Sequence, residues 1–199
     1  MKAAQEFGVK ALAIQSDSAD AGAVVAAVER TVRELGGIDI LVNSAGIAVV
    51  APIDNIRLED FDRTLAVNVR AVFIATQAAV KHMQSGGRII NLGSCNAERV
   101  PNTGMADYAM SKAALVGLVK GLARDLGPRG ITINNVQPGP VETDMNPSNT
   151  DFAKMLIQVM ALPRYGTGDE IASLVAYLAS PEASYVTGAS LSIDGGFTA

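Results

Sequence analysis

Ser94-Cys95-Asn96-Ala97-Glu98-Arg99-Val100-Pro101-Asn102-Thr103-Gly104-Met105-Ala106-Asp107-Tyr108-Ala109-Met110-Ser111-Lys112 is the stretch that decides how the chain is arranged. The apolar run before Ser94 predicts a buried strand, and the apolar periodicity that continues past Lys112 predicts a helix. On that helix Tyr108 and Lys112 lie one turn apart on the same face, within reach of a common ligand. An ammonium beside a phenol favours the phenolate, so we expect Lys112 to lower the pKa of Tyr108. With the Ser94 hydroxyl, the pair predicts an acid–base site for a carbonyl and its alcohol.

The composition predicts one globular α/β domain over residues 1–199, because 49% of the 199 residues are hydrophobic. The net charge of −4 argues against nucleic-acid binding, since phosphates require a basic surface. A single cysteine and a single histidine exclude an internal disulfide and predict no metal site. No apolar run is long enough to cross a membrane and no signal peptide is recognisable, so we expect a cytoplasmic protein.

Strand and helix patterns alternate along the chain. The helix that contains Tyr108 is predicted to end at Leu126, before Gly127-Pro128. The other predicted helices cover residues 1–7, 20–35, 58–83, 151–160 and 169–179, and the predicted strands cover residues 9–15, 38–42, 88–92, 131–136 and 190–194. This alternation predicts an α/β fold in which helices cover both faces of a parallel sheet.

Unusual residues fall at the carboxyl ends of the predicted strands. These residues are Asp17, the stretch 43–46, Ser94 and the stretch 138–143. Ligands of open parallel sheets bind outside the carboxyl ends of the strands. The sequence therefore predicts a binding site at that edge.

Each candidate residue also has a structural interpretation. Tyr-x-x-x-Lys is a weak motif by itself. Asn68, inside an apolar helical pattern, could bond the backbone instead of serving the chemistry. Residues 43–46 could form a tight turn, and Asp17 could be an ordinary loop residue rather than an adenine acceptor. Cys95 has no histidine near it in the sequence, which favours a packing role.

Several motifs, taken together and in order, resemble the short-chain dehydrogenase/reductase family. They are Asn43-Ser44-Ala45-Gly46, Asn68, Ser94, Tyr108-x-x-x-Lys112, Pro138-Gly139 and the ending Val186-Thr187-Gly188-Ala189-Ser190-Leu191-Ser192-Ile193-Asp194-Gly195-Gly196. The resemblance covers essentially the whole chain. It implies a Rossmann-like doubly wound parallel sheet, a small carbonyl or alcohol substrate, NAD or NADP as cofactor, and a homo-oligomer, either a dimer or a tetramer.

The resemblance also implies a role for each site residue. Tyr108 would be the general acid/base, Ser94 would polarise the substrate oxygen, Lys112 would lower the tyrosine pKa and bond the nicotinamide ribose, and Asn68 would hold a water in a proton relay. The implied cofactor-binding residues are Asp17, Asn43, Ala45, Gly46, Tyr108, Lys112, Pro138, Gly139, Val141 and Thr143. Within this set, Asp17 would meet the adenine, residues 43–46 would meet the adenosine side of the cofactor, and Val141 and Thr143 would meet the nicotinamide carboxamide.

One family feature is not found in this sequence. Members of the family open with a strand, a glycine-rich turn and a helix that hold the cofactor pyrophosphate, and no G-x-x-x-G-x-G pattern occurs here. We therefore expect the first β-α-β portion of the fold to be lacking and an apolar sheet edge beside residues 38–42. Either the predicted strand 9–15 pairs with that edge, or a partner chain or a further segment covers it.

Three hypotheses follow. The first is an active NAD(P)-dependent oxidoreductase. The second is a nucleotide-binding regulator of the cyclic-di-GMP type with impaired catalysis, because the glycine-rich turn is missing and residues 16–20 and 137–147 look similar to such a protein. The chain also resembles 3-oxoacyl-acyl-carrier-protein reductases. The third is a truncated fragment of a longer reductase. The sequence leaves the substrate and the choice between NAD and NADP open.

Overall fold

The computed structural model describes residues 6–144 and 146–199, so most of the helix predicted for residues 1–7 lies outside the described part, as does Met145. Four strands form one sheet in chain order, and all three pairings are parallel. The strands are β1 (Ile40–Asn43), β2 (Arg88–Leu92), β3 (Thr132–Pro138) and β4 (Ser190–Ile193). The predicted α/β class with a parallel sheet is confirmed.

Helices pack on both faces of the sheet. They are α1 (Ala21–Leu35), α2 (Leu58–Leu65), α3 (Ala71–Ala79), α4 (Ala106–Leu126), α5 (Asp151–Ile157) and α6 (Gly168–Ala179). Successive strand side chains point to opposite faces, so Ile89 packs with Val119 of α4 whereas Ile90 packs with Leu178 of α6. The sheet is therefore doubly wound. Among the described residues, no helix combines the length and apolarity needed to cross a bilayer.

The ends of α1 follow from the sequence. The Asp20 side chain accepts hydrogen bonds from the backbone N–H groups of Gly22 and Ala23, and Gly36 ends the helix at a φ of 93°. Such a left-handed φ favours glycine. The predicted boundaries of this helix are confirmed, whereas α5 ends at Ile157, three residues earlier than predicted.

The helix predicted for residues 58–83 is interrupted. A π-helical turn, Ala66–Arg70, separates α2 from α3, and α3 ends at Ala79. A π turn inserts one extra residue into the helical path and re-aims the side chains around it. Asn68 lies in this turn and is fully buried.

The strand predicted for residues 9–15 is wrong. Residues 9–16 pair with no strand, and β1 pairs only with β2, so β1 is an edge strand. Its apolar side chains Ile40 and Val42 are 47% and 42% exposed. An isolated segment cannot satisfy its backbone as a strand, and Lys10 instead donates a hydrogen bond to the carbonyl of Glu34, at the end of α1.

Candidate active site

The sheet presents a cavity of about 310 Å³ beyond the carboxyl ends of β2 and β3. Ser94 follows β2 and Tyr108 lies in the first turn of α4, and both side chains line the cavity. The loop after β3 adds Gly139, Pro140 and Thr143. The structure thus brings the predicted serine and tyrosine to one cavity at the predicted edge.

Ser94 is oriented by the loop that follows it. Its backbone is extended, and its hydroxyl oxygen accepts a hydrogen bond of 3.1 Å from the N–H of Asn96. That contact uses one acceptor site of the hydroxyl and leaves its O–H to donate toward the cavity. Ser94 is therefore arranged to donate to an oxygen in the cavity.

The pKa of Tyr108 moves in the direction opposite to our expectation. Burial raises it above the ordinary value of 10.0, and hydrogen bonding with Ser94 offsets only part of that rise. The neighbouring Lys112 does not bring it below that ordinary value. The prediction that Lys112 brings the phenol toward the neutral range is therefore wrong for this structure, because burial penalises the phenolate more than the neighbouring groups favour it.

Lys112 is itself strongly affected by burial. The side chain is 5% exposed, and burial lowers its pKa from 10.5 to about 8. Its Nζ donates a 2.9 Å hydrogen bond to the carbonyl of Leu92 at the end of β2 and lies 5.7 Å from the centre of the Tyr108 ring. The ammonium thus lies beneath the predicted site with one firm protein partner and two remaining N–H donors.

Asn68 clamps the loop that follows β1. Its Oδ1 accepts from the N–H of Ile47 at 2.9 Å, and its Nδ2 donates to the Ile47 carbonyl at 2.8 Å and to Ser111 Oγ at 3.0 Å. Both amide hydrogens are used, and one acceptor site of Oδ1 is left. The two contacts with Ile47 support the backbone-bonding interpretation of Asn68, and the third contact joins it to a side chain of α4.

Two of the predicted cofactor-binding residues are glycines whose backbone lies close to other parts of the protein. A Cβ on Gly46 would lie 3.3 Å from Lys112 Nζ and 3.5 Å from Asn68 Oδ1. A Cβ on Gly139 would lie only 2.5 Å from Cα of Asp194, so a side chain there would push β3 and β4 apart. Gly139 is required for space, whereas a side chain at Gly46 would crowd the ends of Lys112 and Asn68 and fill the room beside the ammonium that is open to a ligand.

The other residues predicted at the nicotinamide end have mixed placements. Thr143 lines the cavity, and its Oγ1 accepts from the N–H of Asn146. Val141 does not line the cavity and forms an isolated bridge with Gly166. Pro138 is the last residue of β3.

The residues predicted for the adenosine side lie apart from this cavity. Asn43 and Ala45 line a second pocket of about 150 Å³ beside β1, together with Ser18. Asp17 is exposed and lines neither pocket, and its Oδ1 accepts from the N–H of Ala19. The structure favours the ordinary loop interpretation of Asp17.

Asparagines form a row across the sheet beneath the site. Asn43, Asn91 and Asn135 are paired in register on β1, β2 and β3. Asn43 Nδ2 donates to Asn91 Oδ1 at 2.8 Å. Asn135 packs directly against the backbone of Gly93, since a Cβ at that glycine would lie only 2.6 Å from Asn135 Oδ1. The row joins the ends of three strands that carry the site.

Sequence reasoning missed most of the cavity wall. Asn102, Asn146, Phe152 and Phe197 all line the cavity, although the last three come from parts of the chain far from Ser94. Only Asn102 could have been found, because it lies in the predicted loop between the strand and Tyr108. Cys95 is 3% exposed and burial raises its pKa to about 12, which agrees with the packing role expected for it.

The arrangement is suited to proton exchange with an oxygen held in the cavity. A hydroxyl donor, a phenol that stays protonated and a buried ammonium lie within one short stretch of structure, and protonated donors of this kind stabilise negative charge that develops on an oxygen. Carbonyl reduction needs such stabilisation of the substrate oxygen. It also needs a hydride donor bound beside the carbonyl carbon.

Sequence comparison places the chain among known reductases. Residues 1–198 match a family profile described as "Enoyl-(Acyl carrier protein) reductase". The chain is also 50% identical over 196 residues to the cyclic-di-GMP-binding biofilm dispersal mediator protein of Escherichia coli (strain K12), a match that covers 98% of this chain and 80% of that protein.

Solved structures agree with the sequence matches. The short-chain dehydrogenase/reductase from Serratia marcescens BCRC 10948 is 61% identical and superposes with a TM-score of 0.98 over all of this chain and 81% of its own. A short chain dehydrogenase from Burkholderia cenocepacia J2315, in complex with NADP, is 52% identical with the same TM-score over all of this chain and 81% of its own.

Proposed function

This chain belongs to the short-chain dehydrogenase/reductase family, and from that premise we propose that it interconverts a small carbonyl compound and the corresponding secondary alcohol with NAD or NADP. The observation that carries the proposal is the cavity in which Ser94 and Tyr108 meet above a buried Lys112. The NADP complex of the Burkholderia cenocepacia relative supports the cofactor class.

Each side chain then has a distinct task. The Ser94 O–H donates to the substrate oxygen, and Tyr108 gives its proton to that oxygen during reduction and takes one during oxidation. The raised pKa of Tyr108 keeps the phenol protonated near neutral pH, which suits the reductive direction. The Lys112 ammonium stabilises the negative charge left on the tyrosine oxygen. Asn68 holds the Ile47 backbone, and its remaining acceptor site could take a water that restores the proton.

The residues at the chemical end fit a nicotinamide cofactor. Gly46 leaves space beside Lys112, and two N–H donors of the ammonium remain for ribose hydroxyls. Pro138 and Gly139 would border the ring, Val141 and Thr143 would meet the carboxamide, and Asn43 and Ala45 would form the adenosine side, whereas Asp17 has the weakest support. When bound, the cofactor supplies or accepts the hydride.

The central test replaces Tyr108 by phenylalanine. We expect Tyr108→Phe to lower kcat for carbonyl reduction by at least about 100-fold, because the proton donor is lost. Tyr177→Phe is the matched control, since Tyr177 is 45% exposed on α6 and does not line the cavity. Full turnover in Tyr108→Phe, measured by NADPH or NADH oxidation, would rule out this mechanism.

A second candidate function is a cyclic-di-GMP-binding regulator. It is favoured by the 50% identity to the Escherichia coli biofilm dispersal mediator, whose name states that it binds this nucleotide. Isothermal titration with cyclic-di-GMP and with NADPH separates the two functions. Tight binding of cyclic-di-GMP by a protein that reduces no carbonyl would favour the regulator.

We also propose that the protein forms a homo-oligomer, a dimer or a tetramer, through an apolar groove on α2, α3 and α4. The groove has a volume of about 910 Å³, and Phe73 in it is 45% exposed. Ala114 and Gly117 are small enough to let a second helix approach closely. Asp62, Arg63 and Arg70 line the same groove, so side chains of both signs are available to pair with a second copy related by a twofold axis.

The remaining proposals concern the whole chain. We infer a single cooperative domain over residues 1–199, supported by one sheet that is packed on both faces. We also infer a cytoplasmic location, supported by the single cysteine, Cys95, which is free and buried. Cell fractionation tests the location, and a single coincident unfolding transition by two spectroscopic probes tests the domain.

A further inference from the structure

The wall of the cavity contains a fixed aromatic ring. Phe197 is 2% exposed, its carbonyl accepts a hydrogen bond from Arg99, and the Arg99 guanidinium lies 5.5 Å from the ring centre. The Asp194 carboxylate accepts from the backbone N–H groups of Gly196 and Thr198, on both sides of that ring. The ring is therefore held in place before any substrate arrives.

Further apolar side chains complete the wall. Phe152 of α5 lines the cavity with Leu156 one turn later, and Met105 and Val50 join them from two loops. Aromatic rings favour offset or edge-to-face contact with another ring, and a methionine thioether adapts to a flat surface. The cavity of about 310 Å³ is about twice as large as an engineered cavity of ~150 Å³ that holds benzene, so it has room for a ring beside the part bordered by Gly139 and Thr143 that the nicotinamide would occupy.

The polar part of the wall is neutral. None of the described residues that line the cavity carries a charged side chain, and the polar groups besides Ser94 and Tyr108 include the amides of Asn96, Asn102 and Asn146. Asn146 is bonded by the Tyr165 hydroxyl, whereas the Asn102 amide makes no hydrogen bond to the described residues. Asn102 can therefore receive a neutral hydrogen-bonding group of a substrate.

We propose, on the basis of the proposed oxidoreductase function, that the substrate is a neutral ketone whose larger substituent is a flat, apolar ring. The carbonyl oxygen lies at Ser94 and Tyr108, and the ring packs against Phe152 and Phe197. A carboxylate-bearing or carrier-linked acyl substrate is disfavoured, because burying an anion without a cationic partner costs more than neutral packing returns.

Two probes of the same shape isolate the charge. 4-Acetylbenzamide and 4-acetylbenzoate differ in an amide or a carboxylate at the far end of one aryl ketone. We expect kcat/KM with NADPH to be at least about tenfold higher for the amide, and calorimetry to give the same order of affinity. Equal or better use of the benzoate would overturn the proposal, as would preference for acetoacetyl-coenzyme A over both ketones.

The two readouts separate this proposal from the function on which it rests. Tighter binding of the amide without oxidation of NADPH or NADH would support the substrate class and contradict the oxidoreductase function. Equal kcat/KM for the amide and the benzoate would support the oxidoreductase function and overturn the substrate class. Binding of neither aryl ketone would overturn the substrate class.

Two variants test the residues directly. Asn102→Lys is expected to raise kcat/KM for the benzoate relative to the amide by about tenfold, whereas the neutral Asn102→Gln should leave the ratio unchanged. Phe152→Ala is expected to lower kcat/KM for the aryl ketone about tenfold more than for butanone, with Tyr185→Ala as the exposed aromatic control. An unchanged ratio in Asn102→Lys, together with equal loss for both ketones in Phe152→Ala, would contradict the assignment.

Discussion

Lys112 is the residue at which stability and chemistry oppose each other. It carries a charge that the proposed mechanism uses, yet burial lowers its pKa to about 8. A buried ammonium of this kind is costly to the folded state and useful to a site that must stabilise negative charge. Its single protein partner, the Leu92 carbonyl, does not offset the lost hydration.

The first prediction concerns the pH dependence of folding. Between about pH 8 and 10.5 the unfolded chain keeps the Lys112 proton and the folded protein has released it, so this group makes stability rise with pH. The rise should approach about 3 kcal/mol, from 1.36 kcal/mol per pKa unit. Below pH 8 the penalty is fully present.

Urea unfolding of the parent and of Lys112→Met across this pH range measures the effect. The parent should gain free energy of unfolding relative to the variant as the pH rises. Lys120→Met, on the exposed side of the same helix, is the control and should follow the parent. A difference between the parent and Lys112→Met that is independent of pH would contradict the burial argument.

The second prediction concerns the pH dependence of reduction. Tyr108 remains protonated through the neutral range, while Lys112 loses its proton around pH 8. We therefore expect kcat/KM for carbonyl reduction, which reports the free protein, to be level up to about pH 7.5 and to fall above about pH 8. A rise of kcat/KM for reduction across that range, in initial-rate measurements, would contradict the assigned roles.

The π turn is the element that decides the position of Asn68. A regular helix from residue 58 onward would turn this side chain away from the Ile47 backbone. In the π turn, the oxygen and the nitrogen of the Asn68 amide both form hydrogen bonds with that backbone. Through Ser111 the same side chain is tied to the first turns of α4, because Ser111 Oγ donates to the Tyr108 carbonyl. The turn thereby couples the loop after β1 to the helix that carries Tyr108.

The third prediction distinguishes the two interpretations of Asn68. Asn68→Ala removes the Asn68 partners of the partly buried N–H and C=O groups of Ile47 and should lower the free energy of unfolding by about 2 kcal/mol. Ser111→Ala removes only one contact of the clamp and should cost about 1 kcal/mol. Loss of turnover in Asn68→Ala at full stability, by urea unfolding and initial rates, would instead favour the proton relay.

Elements governed by local signals were predictable. Asp20 and Gly36 mark the ends of α1 in the sequence, and the apolar run at residues 88–92 gives β2 without further information. The π turn was not predictable, because one inserted residue leaves an apolar helical pattern almost unchanged. The strand predicted for residues 9–15 failed for the opposite reason: its pattern is correct, but a strand also needs a neighbour that the sequence does not specify.

The same distinction between local signals and long-range packing applies to the site. Ser94 and Tyr108 are close in sequence, so helical spacing and the preceding strand predicted their meeting. Phe152 and Phe197 reach the cavity only through the packing of α5 and the C-terminal segment. The direction of the Tyr108 pKa was missed because spacing indicates a neighbouring charge but not the extent of burial.

At the scale of the whole molecule, one apolar surface is not covered by the described residues. Phe73 in the groove on α2, α3 and α4 is 45% exposed, and the neighbouring Val69 is partly exposed. Contiguous apolar surface of this kind marks an interaction site on a folded protein. The fourth prediction tests the oligomer proposed for it.

Phe73→Asp should convert the oligomer into monomers, because each copy would then bury an unpaired carboxylate at the interface. Light scattering coupled to size exclusion gives the mass directly. Tyr185→Asp adds the same charge at a fully exposed position and should leave the mass unchanged. A parent protein that is monomeric at micromolar concentration would refute the proposal.

The C-terminal segment has a practical consequence for handling the protein. Phe197 forms part of the cavity wall, and the Asp194 carboxylate binds the backbone N–H and the hydroxyl of Thr198. An affinity tag, reporter or surface anchor fused after residue 199 would begin three residues beyond that ring and pull on the turn that fixes it. Assays and immobilised preparations should therefore carry their fusion on another part of the chain, such as the exposed polar turn at residues 84–86.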